Sequence, residues 1–348
     1  MASETVLITG ASGFVATHIV DSFLRAGYNV RGTVRSKQTA NKVRGTFPEY
    51  KDKLSFAIVP DVSSAKAFDE VIQGVTGVIH TATPFQLIVK DKERDLLRPA
   101  IEGTINLLRS IKRNASLVRR VVHTSSFADM LDMSKGDRPG YIYTEADWNP
   151  MTYAQATDIN TPDIAAYCAA KTLAEYAAWE FMATENPPFD LVTICPPCVF
   201  GPVKNATASL SNLNTSSMEI YRLMAPASQP SHDMPPTLVP AWVDVRDVAE
   251  AHLKAFEVPG AGGQRFLVAQ GNFNSQQIAD ILRDRVAEVR DRVPLGKPRS
   301  GLGDIFGCDA SKSEKVLGLR YRPLEEAVVD AARSFLKLEQ VNQCCATL

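Results

Sequence analysis

A doubly wound parallel α/β sheet, with a smaller and discontinuous second lobe toward the C-terminus, is the fold this sequence predicts. Three observations predict it. Short β-rich runs alternate with amphipathic stretches over the first two hundred residues, and strands alternating with helices build βαβ units with helices on both faces of a parallel sheet. A glycine-rich turn, Gly10-Ala-Ser-Gly13, directly follows the first of these runs. After about residue 200 the alternation gives way to a stretch rich in Ser, Asn, Thr and Pro.

Residues 5–9 (TVLIT) read as a buried strand and residues 14–26 as a helix. Ile19, Val20, Phe23 and Leu24 share one face of that helix, and Gly27 is a natural stop. Residues 29–34, 55–59, 78–81, 120–124 and 191–194 read as the next five strands. Helical spacing falls between them at 65–73, 95–114 and 161–184, the last opened by Thr161-Pro162-Asp163. Residues 241–257 return to strand-then-helix, 265–269 read as a strand, and 275–288 and 324–338 as helices. The division that follows assigns 1–200 with 241–257 to the nucleotide-binding domain. Residues 201–240 and 258–340 form the substrate lobe, and 341–348 a disordered tail.

Composition narrows the function. The chain has 348 residues, 45% hydrophobic and 22% charged, with 38 basic against 39 acidic side chains and a net charge of −1. That is an ordinary globular balance with no basic surplus for nucleic acid or an anionic membrane. No apolar run reaches the length of a membrane span. The opening MASETVLITG has no apolar signal region, and six cysteines make no disulfide framework, so a cytoplasmic location is expected.

The glycine turn carries the first chemistry. Gly10 permits a tight turn, Gly13 lets backbone approach a pyrophosphate, and the small Ala16 lets the helix pack close to the strand. Free N–H groups at the helix start then face the phosphates. This is a Rossmann-type turn, with Gly10, Ser12, Gly13, Phe14 and Val15 as its cofactor contacts. At the end of the second strand, residues 28–34 (YNVRGTV) hold no carboxylate for a ribose diol. Arg35 and Lys37 follow instead, a cationic pair suited to a 2′-phosphate, which selects NADP(H). Asp61 and Val62, after the third strand, are placed to reach the adenine. Thr81, Ala82 and Thr83, after the fourth, complete that side of the cofactor site.

Tyr167-Cys-Ala-Ala-Lys171 lies within the helix opened at Thr161, and i, i+4 spacing sets phenol and ammonium one turn apart on one face. A free phenol titrates near about 10, and the ammonium is expected to lower that value toward the working range of an acid–base group. Thr124-Ser125-Ser126 ends the fifth strand, where parallel sheets bind ligands. A hydroxyl there can donate to a carbonyl oxygen.

Taken together the motifs resemble those of the extended short-chain dehydrogenases/reductases. Within that superfamily the chain is similar to plant dihydroflavonol 4-reductases and, more so, to fungal methylglyoxal/isovaleraldehyde-type carbonyl reductases. The resemblance rests on TGASGFVA (9–16), VRS (34–36), HTATP (80–84), TSSFADMLDM (124–133), WNP (148–150), AYCAAK (166–171), PPCVFGP (196–202) and DVRDVAEAHL (244–253). It implies an NADPH-dependent reductase of aldehydes and ketones. Tyr167 would be the general acid and Lys171 its electrostatic partner and ribose anchor. Ser126 would orient the carbonyl, with Ser125 as the fallback. Pro196 and Val199 match positions abutting the nicotinamide, while Phe85, Phe127, Met130 and Cys198, with Ser126, form the expected pocket wall. Ala16 departs from the usual third glycine, and Cys198 stands where a bulkier residue often lines the pocket.

Other signals carry less. Cys195 and Cys198 have C-x-x-C spacing, but no second ligand pair accompanies them and no metal is assigned. The final Cys345-Ala-Thr-Leu348 formally fits a prenylation pattern, without an aliphatic third residue or a polybasic run. Two other functions compete on the same fold: a sugar-nucleotide epimerase or dehydratase, and a non-enzymatic NADP-sensing regulator. Residues 201–240 offer only Lys204 and Arg222 to a diphosphate, and a sensor has no need of the Tyr/Lys pair. The substrate's identity, the face of attack and the choice of monomer or homodimer are left to the structure.

Overall fold

The computed structural model describes residues 4–82, 89–206, 208–226 and 234–346. In chain order the elements begin β1 (Thr5–Ile8), α1 (Phe14–Arg25), β2 (Asn29–Val34), α2 (Lys37–Thr46), β3 (Leu54–Ile58) and β4 (Gly77–His80). They continue α3 (Arg98–Asn114), β5 (Arg120–Thr124), β6 (Ile142–Tyr143), α4 (Tyr153–Thr157), α5 (Asp163–Glu185), β7 (Asp190–Cys195) and β8 (Cys198–Phe200). Then come α6 (Thr215–Met224), β9 (Ala241–Asp244), α7 (Val245–Glu257), β10 (Arg265–Leu267) and β11 (Gly271–Asn272). The chain closes with α8 (Ser275–Arg285), β12 (Gly307–Cys308), α9 (Ser311–Leu317) and α10 (Leu324–Ala346).

Seven strands form one parallel sheet in the order β10-β7-β5-β4-β1-β2-β3. The order reverses between β1 and β4, and the crevice beyond the carboxyl ends of strands at such a reversal is where α/β sheets bind ligands. Both faces are covered. Phe23 and Val20 of α1 pack with Val248, Ala251 and Phe256 of α7 on one side, and Leu107, Leu108 and Ile111 of α3 with Ala178 and Phe181 of α5 on the other. A second, three-stranded sheet, β11-β9-β8, lies over α6, α8 and α10, with Trp242, Phe200, Phe273 and Phe335 buried between them.

The fold class agrees with expectation, and four details do not. Residues 65–73 form successive turns closed by i→i−3 hydrogen bonds rather than a helix. The apolar spacing is real, since Phe68 and Ile72 are buried, but Arg31 draws the carbonyls of Val71 and Gln73 onto its guanidinium at 2.8 Å each. Arg265–Leu267 joins the main sheet beside β7 instead of the lobe, and β9 leaves the main sheet for the smaller one. Strand periodicity names a strand but not its neighbour. The Ser/Asn/Thr/Pro-rich stretch contains α6, and α10 runs on to Ala346 where a disordered tail was expected, because no Pro or Gly interrupts 324–346. Among the described residues, no helix is long and apolar enough to cross a membrane.

Three buried histidines tie stability to pH. Burial holds His18 at about 4, His80 at about 3 and His252 at about 4, below the ordinary 6.5. Unfolded, these rings take up protons from pH 6.5 downward, while folded they stay neutral. The unfolded state therefore binds more protons in that window, and stability rises with pH through it. The urea midpoint is expected to fall as the pH drops from 6.5 to 4. A midpoint flat from 7 to 4 would contradict the assignment of these rings as neutral and buried.

Candidate active site

The glycine turn opens at the sheet's reversal point. Gly10 sits at φ +66, a left-handed conformation, and an added Cβ would approach the Ala82 backbone and side chain at 3.2 Å. Its N–H donates to Thr33 Oγ1 at 3.0 Å, tying the turn to the end of β2. Thr9 Oγ1 accepts from the N–H groups of Thr81 and Ala82, both at 3.0 Å, and lies 2.9 Å from His80 Nδ1. Helix α1 begins at Gly13 without a side-chain cap, which leaves its first-turn N–H groups for a ligand.

Three contiguous cavities run from this turn. The first, about 550 Å³, is lined by Gly10, Ser12, Gly13, Thr33, Val34, Arg35, Thr39, Val59, Pro60, Asp61, Val62, Thr81 and Ala82. A second, about 320 Å³, shares Gly10, Gly13 and Thr81 with it and adds Phe14, Val15, Ser126, Tyr167, Lys171, Pro196 and Val199. The third, about 140 Å³, opens on Ser126 and Tyr167 and is otherwise walled mainly by Phe127, Leu131, Ile164, Cys168, Cys198 and Val239. The form is that of an extended dinucleotide groove ending in a small apolar pocket. An uncapped helix start, a positive-φ glycine and a buried cation converge on the same groove.

The structure sorts the residues expected at the site. Lys37 opens α2 and is exposed, outside the described linings, whereas Arg35 stands in the wall of the first cavity. Met130 is 1% exposed and packs into the core with Tyr143 and Phe306. The single 3-10 turn at 127–129 rotates it inward and presents Leu131 to the pocket instead. Thr83 and Phe85 lie outside the described residues. Ser125 also lines the second cavity, but it is buried and its hydroxyl is committed to Asp129 and Glu175. Ser126 Oγ lines both the second and third cavities, accepts from Ala128 N at 3.1 Å and hydrogen-bonds the Tyr167 phenol.

Lys171 is 5% exposed, donates from Nζ to Thr124 O at 3.2 Å and makes no ion pair among the described residues. Its expected effect on Tyr167 is outweighed. Burial drives the phenol well above its ordinary 10, with Cys168 and Asp129 adding to the rise and the Ser126 hydrogen bond opposing it. The tyrosine is thus firmly protonated in the chain alone. Cys195 and Cys198 do not converge either: Cys195 faces Glu175, and Cys198 lies 3.6 Å from Val239 O.

Sequence reading missed the ionic knot beneath the two serines. Glu175, Asp129 and Arg265 are all buried there, and Arg265 also stacks on Trp148 at 3.5 Å. One signal was present: Glu175 continues the Tyr167, Lys171 series at i+4 along α5. Nothing local pointed to Arg265.

Residues 6–269 match the model of the NAD dependent epimerase/dehydratase family. The NADPH-dependent methylglyoxal reductase of Saccharomyces cerevisiae is 39% identical over 347 residues, covering 96% of this chain and 99% of that one. A ketoreductase of Aspergillus niger is 39% identical over 341 residues, covering 96% and 98%. The crystal structure of yeast methylglyoxal/isovaleraldehyde reductase complexed with NADPH superimposes with a TM-score of 0.90 at 38% identity, over 97% of this chain and 99% of that one.

Proposed function

Since the chain belongs to the NAD dependent epimerase/dehydratase family, the extended short-chain dehydrogenases/reductases, we propose that it is an NADPH-dependent reductase of small aldehydes and ketones. One observation carries this reading: Ser126, Tyr167 and Lys171 meet where the dinucleotide groove opens into the apolar 140 Å³ pocket. NADPH, when bound, supplies the hydride. Gly10, Ser12, Gly13, Phe14 and Val15 would hold its pyrophosphate, Arg35 its 2′-phosphate, and Asp61, Val62 and Ala82 its adenine. Lys171, with two ammonium hydrogens uncommitted after Thr124, would hold a ribose, and Pro196 and Val199 would wall the nicotinamide.

The chain's own residues do the rest. Ser126 donates to the carbonyl oxygen and fixes its direction. Tyr167 holds its proton because a buried phenolate is costly. As negative charge grows on the carbonyl oxygen, that oxygen becomes the stronger base and the proton moves from Tyr167 Oη to it. Phe127, Leu131, Ile164 and Val239 exclude water from the reacting carbon. The described pocket lining has no cationic side chain, so it favours neutral carbonyls over a nucleotide diphosphate.

The test is NADPH consumption, followed by absorbance, across short aldehydes, α-dicarbonyls, β-ketoesters and sugar nucleotides. Turnover is expected with the small carbonyls and not with the sugar nucleotides. Activity confined to sugar nucleotides would replace this reading with epimerase or dehydratase chemistry, and tight NADPH binding without turnover would indicate a sensor.

A further inference from the structure

Directly under the Ser125–Ser126 turn lie two carboxyls that no step above uses. Glu175 is 0% exposed and Asp129 likewise. Glu175 Oε1 accepts from Arg265 Nε at 2.7 Å, Thr193 Oγ1 at 2.8 Å and Trp179 Nε1 at 3.0 Å. Its Oε2 lies 2.6 Å from Ser125 Oγ and 3.3 Å from Arg265 Nη2. Asp129 Oδ2 contacts the same Ser125 Oγ and accepts from Ser126 N at 3.2 Å. Asp129 Oδ1 has no donor among the described residues, and an oxygen of each carboxyl lies within 4.8 Å of the other.

Proton counting decides the state of this knot. Ser125 has one hydroxyl hydrogen and two carboxyl neighbours, so at least one carboxyl must donate. Among the described residues the only guanidinium in contact is that of Arg265, from β10, and it lies on Glu175. One carboxylate, one guanidinium and one neutral carboxyl leave the buried cluster without net charge, whereas two carboxylates would leave an unpaired anion.

We propose that Asp129 and Glu175 are positioning residues sharing a single proton, carried by Asp129, and that this proton locks the Ser125–Ser126 turn so that Ser126 faces the carbonyl pocket. The proposal rests on the role given to Ser126 above. The charged and titratable groups around the pair divide between its two members. Asp129, the Arg265 guanidinium and the Ser125 hydroxyl hold Glu175 below its ordinary range despite its burial, while burial and the neighbouring Glu175 charge raise Asp129 well above 3.8. Lys171, from α5, opposes the rise at Asp129 without reversing it. Cys195, from β7, is held as a neutral thiol by burial. Asp129 therefore reaches both catalytic neighbours: its carboxyl receives Ser126 N, and its charge state acts on Tyr167.

The experiment uses the full chain with NADPH bound. Infrared difference spectra of wild type against Asp129→Asn at neutral pH should contain a buried protonated-carboxyl C=O band, sensitive to deuterium exchange. A spectrum showing only loss of an ionised carboxylate overturns the proposal, whatever the enzyme's activity. Kinetically, Asp129→Leu should lower kcat by about 10–100-fold, less than the cost of about 10²–10³-fold for deleting an oriented donor to a reacting oxygen, because Ser126 is displaced rather than removed. NADPH affinity should stay within about twofold, since no cofactor contact is touched. Asp129→Asn, whose amide can donate to Glu175 and accept from Ser125, should recover about tenfold of that loss. Wild-type kcat in folded Asp129→Leu, or no recovery in Asp129→Asn, counts against it, and should the leucine variant not fold, the infrared result alone decides. Ser126→Ala separates the two readings. Wild-type kcat there refutes the role of Ser126, whereas the infrared band reports on the shared proton independently.

Discussion

Tyr167→Phe is expected to lower kcat by about 10²–10⁴-fold while leaving NADPH affinity within about twofold, because the substitution deletes the acid and little else. The phenol's position makes this a sharp test. It lines the cavity beside the glycine turn and the apolar pocket, it hydrogen-bonds Ser126, and burial keeps its proton in place. A group so desolvated transfers its proton only to an oxygen that is itself becoming anionic, so its contribution is made in the transition state and should be lost from kcat rather than from KM. Single-turnover rates together with NADPH fluorescence titration measure the two quantities separately. Turnover within threefold of wild type would remove Tyr167 from the acid role.

Arg35→Ala is expected to weaken NADPH by about 10–100-fold and NADH by no more than about threefold. A charge-assisted hydrogen bond contributes about 1.5–3 kcal/mol, and about 1.4 kcal/mol is tenfold in affinity. Arg35 lines the first cavity, and the proposed 2′-phosphate role rests on its neighbours as well as on its charge. The described wall of that cavity holds one acidic residue, Asp61, whose carboxylate accepts from Ser63 N at 2.9 Å and Ser63 Oγ at 2.7 Å and is held below its ordinary range by those bonds. Ser36 caps α2 by accepting from Thr39 N at 3.1 Å, which fixes the backbone immediately after the arginine. The ratio of KM values for NADPH and NADH reads the effect. An unchanged ratio would assign selectivity to other residues of the groove.

The legible parts of this protein are those set by local spacing. Gly10 and Gly13 between an apolar strand and an amphipathic helix, Arg35 at the end of a carboxylate-free strand, and Tyr167 and Lys171 one helical turn apart each state their geometry in a few residues. The strand–helix alternation in turn implies a parallel sheet, because no other arrangement covers both faces of successive βαβ units.

The illegible parts depend on partners far apart in the chain. Residues 65–73 have helical spacing yet fold as successive turns, with Arg31, more than thirty residues earlier, bound to the carbonyls of Val71 and Gln73. Which sheet receives 265–267 is decided by the free edge of β7, some seventy residues earlier. Met130 and Leu131 differ by one position, and a single 3-10 turn chooses which of them meets the pocket.

Electrostatics shows the division most clearly. From the sequence, Tyr167 beside Lys171 reads as a phenol made more acidic, because the ammonium is the one neighbour that spacing reveals. In the folded chain, desolvation outweighs that neighbour, and the buried Asp129 and Glu175, gathered with Arg265 from three distant segments, set the local charge. By itself the sequence determined the α/β fold, the cofactor turn and the pairing of phenol with ammonium, since each is written within one turn or one strand. Only the tertiary structure decided the burial of Tyr167, the contacts gathered on Glu175 and the packing of Met130 into the core, since burial and long-range contact exist only after the chain has closed on itself.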